Sequence, residues 1–223
     1  MDKLNWQVGV PVTAVEVIAP GRKELVGRYI KLTALEPQAD SQLLYPQTHG
    51  GNESERIWTY MSYGPFGDAG EMAAWMSECV AASEPLFYVV RECESNRALG
   101  MVSFLNIVPG DRRIELGHIW YVAAAQRTRA NTEAAYLMLA ELFALGYRRA
   151  EWKCDGLNEK SRAAAQRLGF TYEGTFRQHI IVKGRNRDTA WFSMLDGEWP
   201  EKKRRLEQWL YENEDGKLSL RAM

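Results

Sequence analysis

The stretch Ala123–Tyr136, "AAAQRTRANTEAAY", marks a change of period in the chain. Before it, "RIELGHIWYV" (113–122) is made of strand formers; after it, "NTEAAYLMLAELFALG" (131–146) has strongly polar side chains only at Thr132, Glu133 and Glu141 beyond its opening asparagine. That pattern predicts a largely buried helix over Asn131–Leu145, with Gly146 as its stop. The first N–H groups of a helix have no partner within it, and they carry a partial positive charge of about half a unit. Placed just after a strand end, such a helix opening is a natural phosphate cradle. Arg127 and Arg129 would add forked donors suited to phosphate oxygens. The plainer reading is an exposed basic turn followed by an ordinary cap. Against it stands a second helix opening, "DGLNEKSRAAAQRLGF" (155–170), in the same strand–helix–strand–helix run.

Outward from this unit, "YIKLTALE" (29–36) alternates as a strand and residues 37–49 form a short helix. Asp68 caps a helix over 69–83, with Glu71 completing a capping box. "LFYVVREC" (86–93), "ALGMVSFLNIV" (98–108) and 113–122 make a meander, separated by the turns "ESNR" and "PGDR". Gly117 in the third of these strands suggests a bulge that re-aims the residues after it. "AEWKCDG" (150–156) is a strand, and Asn158–Leu168 a helix between an Asn158 cap and a Gly169 stop. Strands 170–182 and 188–195, joined by "KGRNR", precede a charged helix over 201–213 whose "EKKRR" face reads as solvated surface. The expected fold is α/β, with a mixed, mostly antiparallel central sheet and helices on both faces. The expected organisation is an N-terminal arm (1–27), a domain (28–200) and a C-terminal helix and tail (201–223).

A chain of 223 residues with 46% apolar residues can bury a full core in one domain. A formal charge of −1 argues against a general nucleic-acid or membrane-surface binder. Cys79, Cys93 and Cys154 are widely spaced with no metal-ligand pattern, which suits reduced thiols, no metal and a cytoplasmic location. The opening residues show neither a signal peptide nor a membrane span.

"QRTRANTEA", "LNEKSRAAAQRLGF", "EGTFRQH" and "RDTAWFSMLDGEWP" together resemble the GCN5-related N-acetyltransferases, within them the branch containing the ribosomal-protein N-terminal acetyltransferases. The resemblance covers roughly residues 27–200. It implies the acyl-CoA N-acyltransferase fold, in which splayed central strands leave a slot for acetyl-CoA. The family's loop pattern is Gln/Arg-x-x-Gly-x-Gly/Ala; Gln126 fits it, whereas Arg129 and Asn131 occupy the two small-residue positions. Asn131 can stand in as a cap or in a left-handed backbone, and Arg129 can lay its side chain over a phosphate. The coenzyme would run along Trp120, Tyr121 and Val122, and along Gln126, Arg127, Thr128, Arg129, Ala130, Asn131 and Thr132. Asn158, Ser161 and Arg162 of the second helix opening would complete its site.

The resemblance also implies catalytic roles. Glu115 lies eleven residues before Gln126, where several relatives carry their general base; its alternative is a solvated strand carboxylate paired with an arginine. His118 is the rival base, and His179 a third candidate on the acceptor side. The tyrosine that many relatives use as the acid is replaced by Ala165, while Ser161 matches the serine of the ribosomal-protein branch. Trp58, Tyr60 and Tyr63 form an aromatic cluster suited to a cationic amine or, equally, to packing. The reading is acetyl transfer to a primary amine of a small molecule or peptide, by direct attack in a ternary complex. A protein N-terminal α-amine as acceptor, a non-catalytic acyl-CoA-binding protein and a nucleotide-binding module stay open, as does a homodimer.

Overall fold

The computed structural model describes residues 8–213 and 219–220; the remainder of the arm and of the C-terminal tail lies outside the described residues. Eight strands form one sheet: Leu25–Val26 (β1), Ile30–Ala34 (β2), Leu86–Glu92 (β3), Ala98–Val108 (β4), Arg113–Tyr121 (β5), Arg149–Asp155 (β6), Thr171–Val182 (β7) and Arg185–Leu195 (β8). Their spatial order is β1-β2-β3-β4-β5-β6-β8-β7, and every neighbouring pair is antiparallel except β5 with β6. The helices are Pro37–Thr48 (α1), Asn52–Glu55 (α2), Ala69–Ala81 (α3), Ala130–Ala144 (α4), Glu159–Leu168 (α5) and Trp199–Glu207 (α6), the last running into a π-helical turn at Gln208–Glu212. None of the described helices is long and apolar enough to cross a membrane.

The meander packs through both faces. Arg91 of β3 pairs with the buried Asp40 of α1, and Phe87 meets Trp75 of α3 edge-on, so α1 and α3 cover one face. On the other face the Trp152 indole bonds to Ser161 of α5, and Arg167 of α5 bonds to Thr132 of α4, so α5 reaches the head of α4. α3 starts as predicted: Asp68 Oδ1 accepts the Glu71 N–H at 2.8 Å, and Glu71 Oε2 reaches back to the Gly67 N–H at 2.6 Å.

Three details differ from expectation. β8 begins at Arg185, because Lys183 (φ 49°) and Gly184 (φ 73°) alone make a two-residue turn with both residues left-handed, the form that best matches strand twist. α4 begins at Ala130, so Asn131 lies in its first turn and is not its cap. The C-terminal helix starts at Trp199, where Pro200 fits the first turn, and changes to the π-helical turn after Glu207.

The arm is tied down from Val17 onward. Tyr147 and Tyr88 donate to the Ile18 and Gly21 carbonyls, and Arg22 donates to Val80 and Ala82 at the end of α3. The turn from β1 to β2 is held by one side chain. Glu133 of α4 is fully buried, and its carboxylate accepts the backbone N–H groups of Arg28, Tyr29 and Ile30, each at 2.8 Å, and the Tyr211 hydroxyl at 3.0 Å. Gly27 leaves the room this needs, since a β-carbon there would lie 2.5 Å from the Glu133 carboxyl carbon. Charge-assisted bonds of this kind contribute more than neutral ones, and a neutral amide would turn its own N–H against the backbone donors. Glu133→Gln is therefore expected to cost about 2–4 kcal/mol in urea unfolding; an unchanged midpoint would show that the carboxylate does not hold this turn.

Candidate active site

The site begins where β5 leaves its neighbour. β5 and β6 pair from Arg113↔Arg149 to Leu116↔Trp152 and then part, while β5 stays bonded to β4 as far as Tyr121↔Gly100. The parting coincides with a bulge. Met101 faces Trp120 and Ser103 faces Gly117, so β5 carries one residue more than β4 between them, and His118 takes a left-handed backbone (φ 51°). Gly117 thus marked the bulge, but His118 carries its strain. The extra residue keeps Glu115, Gly117, His118 and Trp120 on one face of the sheet, so both base candidates look toward the α1/α3 side.

The loop after β5 leads directly to α4. Gln126 Nε2 bonds back to the Tyr121 carbonyl at 3.2 Å, Arg127 is left-handed (φ 62°), and Thr128 Oγ1 accepts the Ala130 N–H at 3.2 Å while donating to the Ala125 carbonyl. The first N–H of α4 bonded back along the chain is that of Glu133, to Arg129. Those of Asn131 and Thr132 therefore head the helix without a partner in it. Gln126, Arg127 and Thr128 are exposed beside them.

The two arginines have different places. Arg129 turns inward, donating to the Tyr29 hydroxyl at 2.6 Å and the Asn213 carbonyl at 2.7 Å, with its guanidinium over the Tyr29 ring. It braces the helix head against the chain ends and does not lie over the loop. Arg127 is the arginine left beside the cradle. Thr132 is fully buried under Arg167, and the adjacent Tyr121 hydroxyl is buried with no hydrogen-bond partner. An orphaned hydroxyl beneath a helix head with unbonded N–H groups fits the polar chain and phosphates of a coenzyme.

Asn158 caps α5, its Oδ1 accepting the Ser161 N–H at 3.1 Å. Ser161 Oγ accepts from the Trp152 indole at 3.0 Å, and its own proton can be donated toward the neighbouring Cys154 sulfur or to another sulfur in reach. Arg162 reaches the Gly156 carbonyl at 3.1 Å and lies over the Tyr172 ring, steadying the β6–α5 turn. Cys154 lies on the parted half of β6, and burial raises its pKa, which keeps it a thiol at neutral pH.

Glu115 is buried, and its Oε2 is held by Asn106 Nδ2 at 2.5 Å and Lys153 Nζ at 2.8 Å. Lys153 also approaches Glu151 at 3.5 Å and lies 3.9 Å above the Trp191 ring. Further along, Arg149 joins Glu151 to Glu173, whose pKa falls to about 2 chiefly through its bonds to Arg149. These residues form a band of alternating charge across β5, β6, β8 and β7. Sequence reading anticipated Glu115 but not Asn106 or Lys153, although an asparagine on an odd backbone angle is a recognisable bulge signal (Asn106, φ 48°). His118 stacks on Tyr63 and tilts against Phe87; burial, aided by the charge of Arg187, pushes its pKa down to about 4.

The expected acceptor residues separate. Trp58 is 1% exposed and sits behind Trp120 as core packing, its indole bonded to the Thr48 carbonyl. Tyr60 crosses to the Leu157 carbonyl at 3.1 Å, so the loop before α3 touches the β6–α5 turn. Lys183 at the β7–β8 tip donates to the carbonyls of Trp58, Tyr63 and Gly64, fastening the hairpin to that loop. His179 bonds to Thr189 at 2.9 Å and lines a shallow hollow of the hairpin with Phe176, Arg177, Gln178, Asn186 and Asp188. No group of three or more His, Cys, Asp or Glu side chains among the described residues could hold a metal ion.

Comparison with known proteins agrees with this geometry. The model of the Acetyltransferase (GNAT) domain matches residues 31–171. A solved GCN5-related N-acetyltransferase from Brucella melitensis is 38% identical, with a TM-score of 0.88 over 93% of this chain and 96% of that one. A probable GNAT-family acetyltransferase from Chromobacterium violaceum is 37% identical, with a TM-score of 0.80 over 90% of this chain and 100% of that one. A Bacillus subtilis protein named "Putative ribosomal N-acetyltransferase YdaF" is 32% identical over 101 residues, 45% of this chain and 55% of that protein, so the chain spans about half the length of this curated relative. With a matching domain over most of the sheet and a parted β5–β6 pair at its centre, the chain belongs to the GNAT family of acetyltransferases.

Proposed function

We propose that the chain moves an acetyl group from acetyl-CoA to a primary amine of a small molecule or peptide, by direct attack with both reactants bound. The observation that carries this reading is the parting of β5 from β6 beside the unbonded head of α4. Acetyl-CoA brings an activated thioester; the chain aligns it, polarises its carbonyl and receives the amine. Arg127, the Thr128 loop and the N–H groups of Asn131 and Thr132 would hold the phosphates. The β5 edge beyond Leu116, which no longer bonds to β6, offers backbone N–H groups to the thioester oxygen. Ser161 has a proton to give the departing sulfur. A buried, protonated Cys154 favours direct attack over an acyl-enzyme.

His118 is a weak base in this setting, and Glu115 is held by its neighbours. His118 is neutral above about pH 4, and Glu115 already receives Lys153 and Asn106 on one oxygen. Alignment of the reactants, which can supply about 7–11 kcal/mol, is then the main source of rate. The amine has to arrive unprotonated. A protein N-terminal amine is the second reading, favoured by the name of the curated Bacillus subtilis relative.

Release of free thiol from acetyl-CoA should accompany acetylation in a panel of small amines and short peptides; release with none of them would refute transfer. In calorimetry, Arg127→Ala should weaken coenzyme A about tenfold, as expected for one lost charge-assisted bond. Arg129→Ala should instead lower Tm with little change in affinity, and the reverse pattern would return the phosphate role to Arg129. The acidic limb of kcat/KM should follow the acceptor: activity falls with pH as the amine takes up its proton. Two acceptors differing by about two pKa units should therefore shift that limb by about two units. A limb fixed across acceptors would instead identify an enzyme base.

A further inference from the structure

On the acceptor side of the bulge, several donors are buried without completing a hydrogen bond. Arg187 enters from β8, its Nε is buried without a hydrogen-bond partner, and it makes no ion pair with any described residue. Its charge is felt at His118 at the bulge and at Cys154 at the parted edge of β6, so it lies on the side of β8 that faces these two residues. Tyr63, stacked on His118 with ring centroids 5.6 Å apart, has a buried hydroxyl without a partner. Burial raises its pKa well above the usual phenol value, so it keeps its proton. The Trp120 indole N–H faces that hydroxyl without completing a hydrogen bond.

Indole and guanidinium groups can only donate, and a protonated phenol has one donor to place. Most carboxylate oxygens of this face are already engaged: Glu115 by Lys153 and Asn106, Glu151 by Arg149 and Lys153 although its Oε2 completes no hydrogen bond, Glu173 by Arg149 and Ser193, and Asp155 by the Leu157 N–H. A buried guanidinium N–H without an acceptor is costly, and such a group persists where a ligand completes it.

We propose that the acceptor amine carries an acidic group in the same molecule, a carboxylate or a phosphate. Arg187 binds that group, while Tyr63 and Trp120 donate to its oxygens or to a neighbouring carbonyl. This rests on the acetyl-transfer reading and adds to it the acceptor class: amino acids, peptides with a nearby carboxylate, or phosphorylated amines, in preference to polyamines. Arg187 is the residue that sets the preference.

The test separates the two claims. The full chain saturated with coenzyme A is titrated with three acetylated products: N-acetylglycine, N-acetyl-O-phosphoethanolamine and N-acetylglycinamide. At least one anionic product should bind tenfold or more tighter than the uncharged amide, and whichever does so distinguishes carboxylate from phosphate. Arg187→Gln should abolish the difference and Arg187→Lys should keep part of it, with Tm recorded for each variant to confirm folding. Equal binding of charged and uncharged products, no anion binding up to millimolar concentration, or an undiminished preference in Arg187→Gln would overturn the proposal. With acetyl-CoA and the matching free amines, the same tenfold preference should appear in kcat/KM. Anion preference in binding without thiol release from any amine would leave the anion subsite standing and remove the transferase reading.

Discussion

A strand inside a sheet is expected to bond on both sides, and β5 does so for only half its length. After Leu116 it keeps β4 and gives up β6, leaving a row of main-chain groups in the middle of the molecule with no strand to pair with. Water or a bound chain must satisfy them, because backbone donors are seldom left alone in a protein interior. The surrounding features answer this gap. The bulge at His118 turns side chains toward one mouth of it, α4 begins at its end, and α5 brings Ser161 to its far wall. A fold that closed the sheet here would lose its reason for that bulge.

The charges nearby are arranged so that the gap stays open to a ligand. Glu133 sits in the first turn of α4, where a carboxylate could have capped its own helix. It is occupied by the N–H groups of residues 28–30, so the helix head keeps its own donors for something from outside. On the opposite face, Glu115, Lys153, Glu151, Arg149 and Glu173 neutralise one another in sequence. That arrangement fixes Glu115 firmly in place. His118 is kept neutral by burial and by the nearby charge of Arg187.

Much of this was legible along the chain because it depends on local rules. Strand alternation, the capping box at Asp68, the helix stops at Gly146 and Gly169, and a bulge near Gly117 follow from neighbours within a turn or two. The two helix openings after strands pointed to the same half of the sheet that the structure shows parting. What was not legible depends on partners far apart in sequence. Arg129 and Arg127 look interchangeable in "QRTRAN"; only the fold shows that Tyr29 and Asn213 claim the first. Trp58 and Tyr60 lie two residues apart, yet one is core and the other a bridge to Leu157. Arg187 carried no signal at all, since an arginine in a hairpin strand is ordinary until its surroundings are known.

Lys183 ties residues more than a hundred positions apart, because its ammonium meets three carbonyls of an irregular loop. On the proposed reading, the wall seen by the amine is drawn by segments near 58–64 and 179–187, and the coenzyme's berth by 116–132 and 152–168. Two separate passages of the gene write the two halves of the reaction. Drift in the hairpin tip can retune which amines are admitted while the thioester stays seated as before, and this separation gives a lineage of such proteins room to diversify its targets.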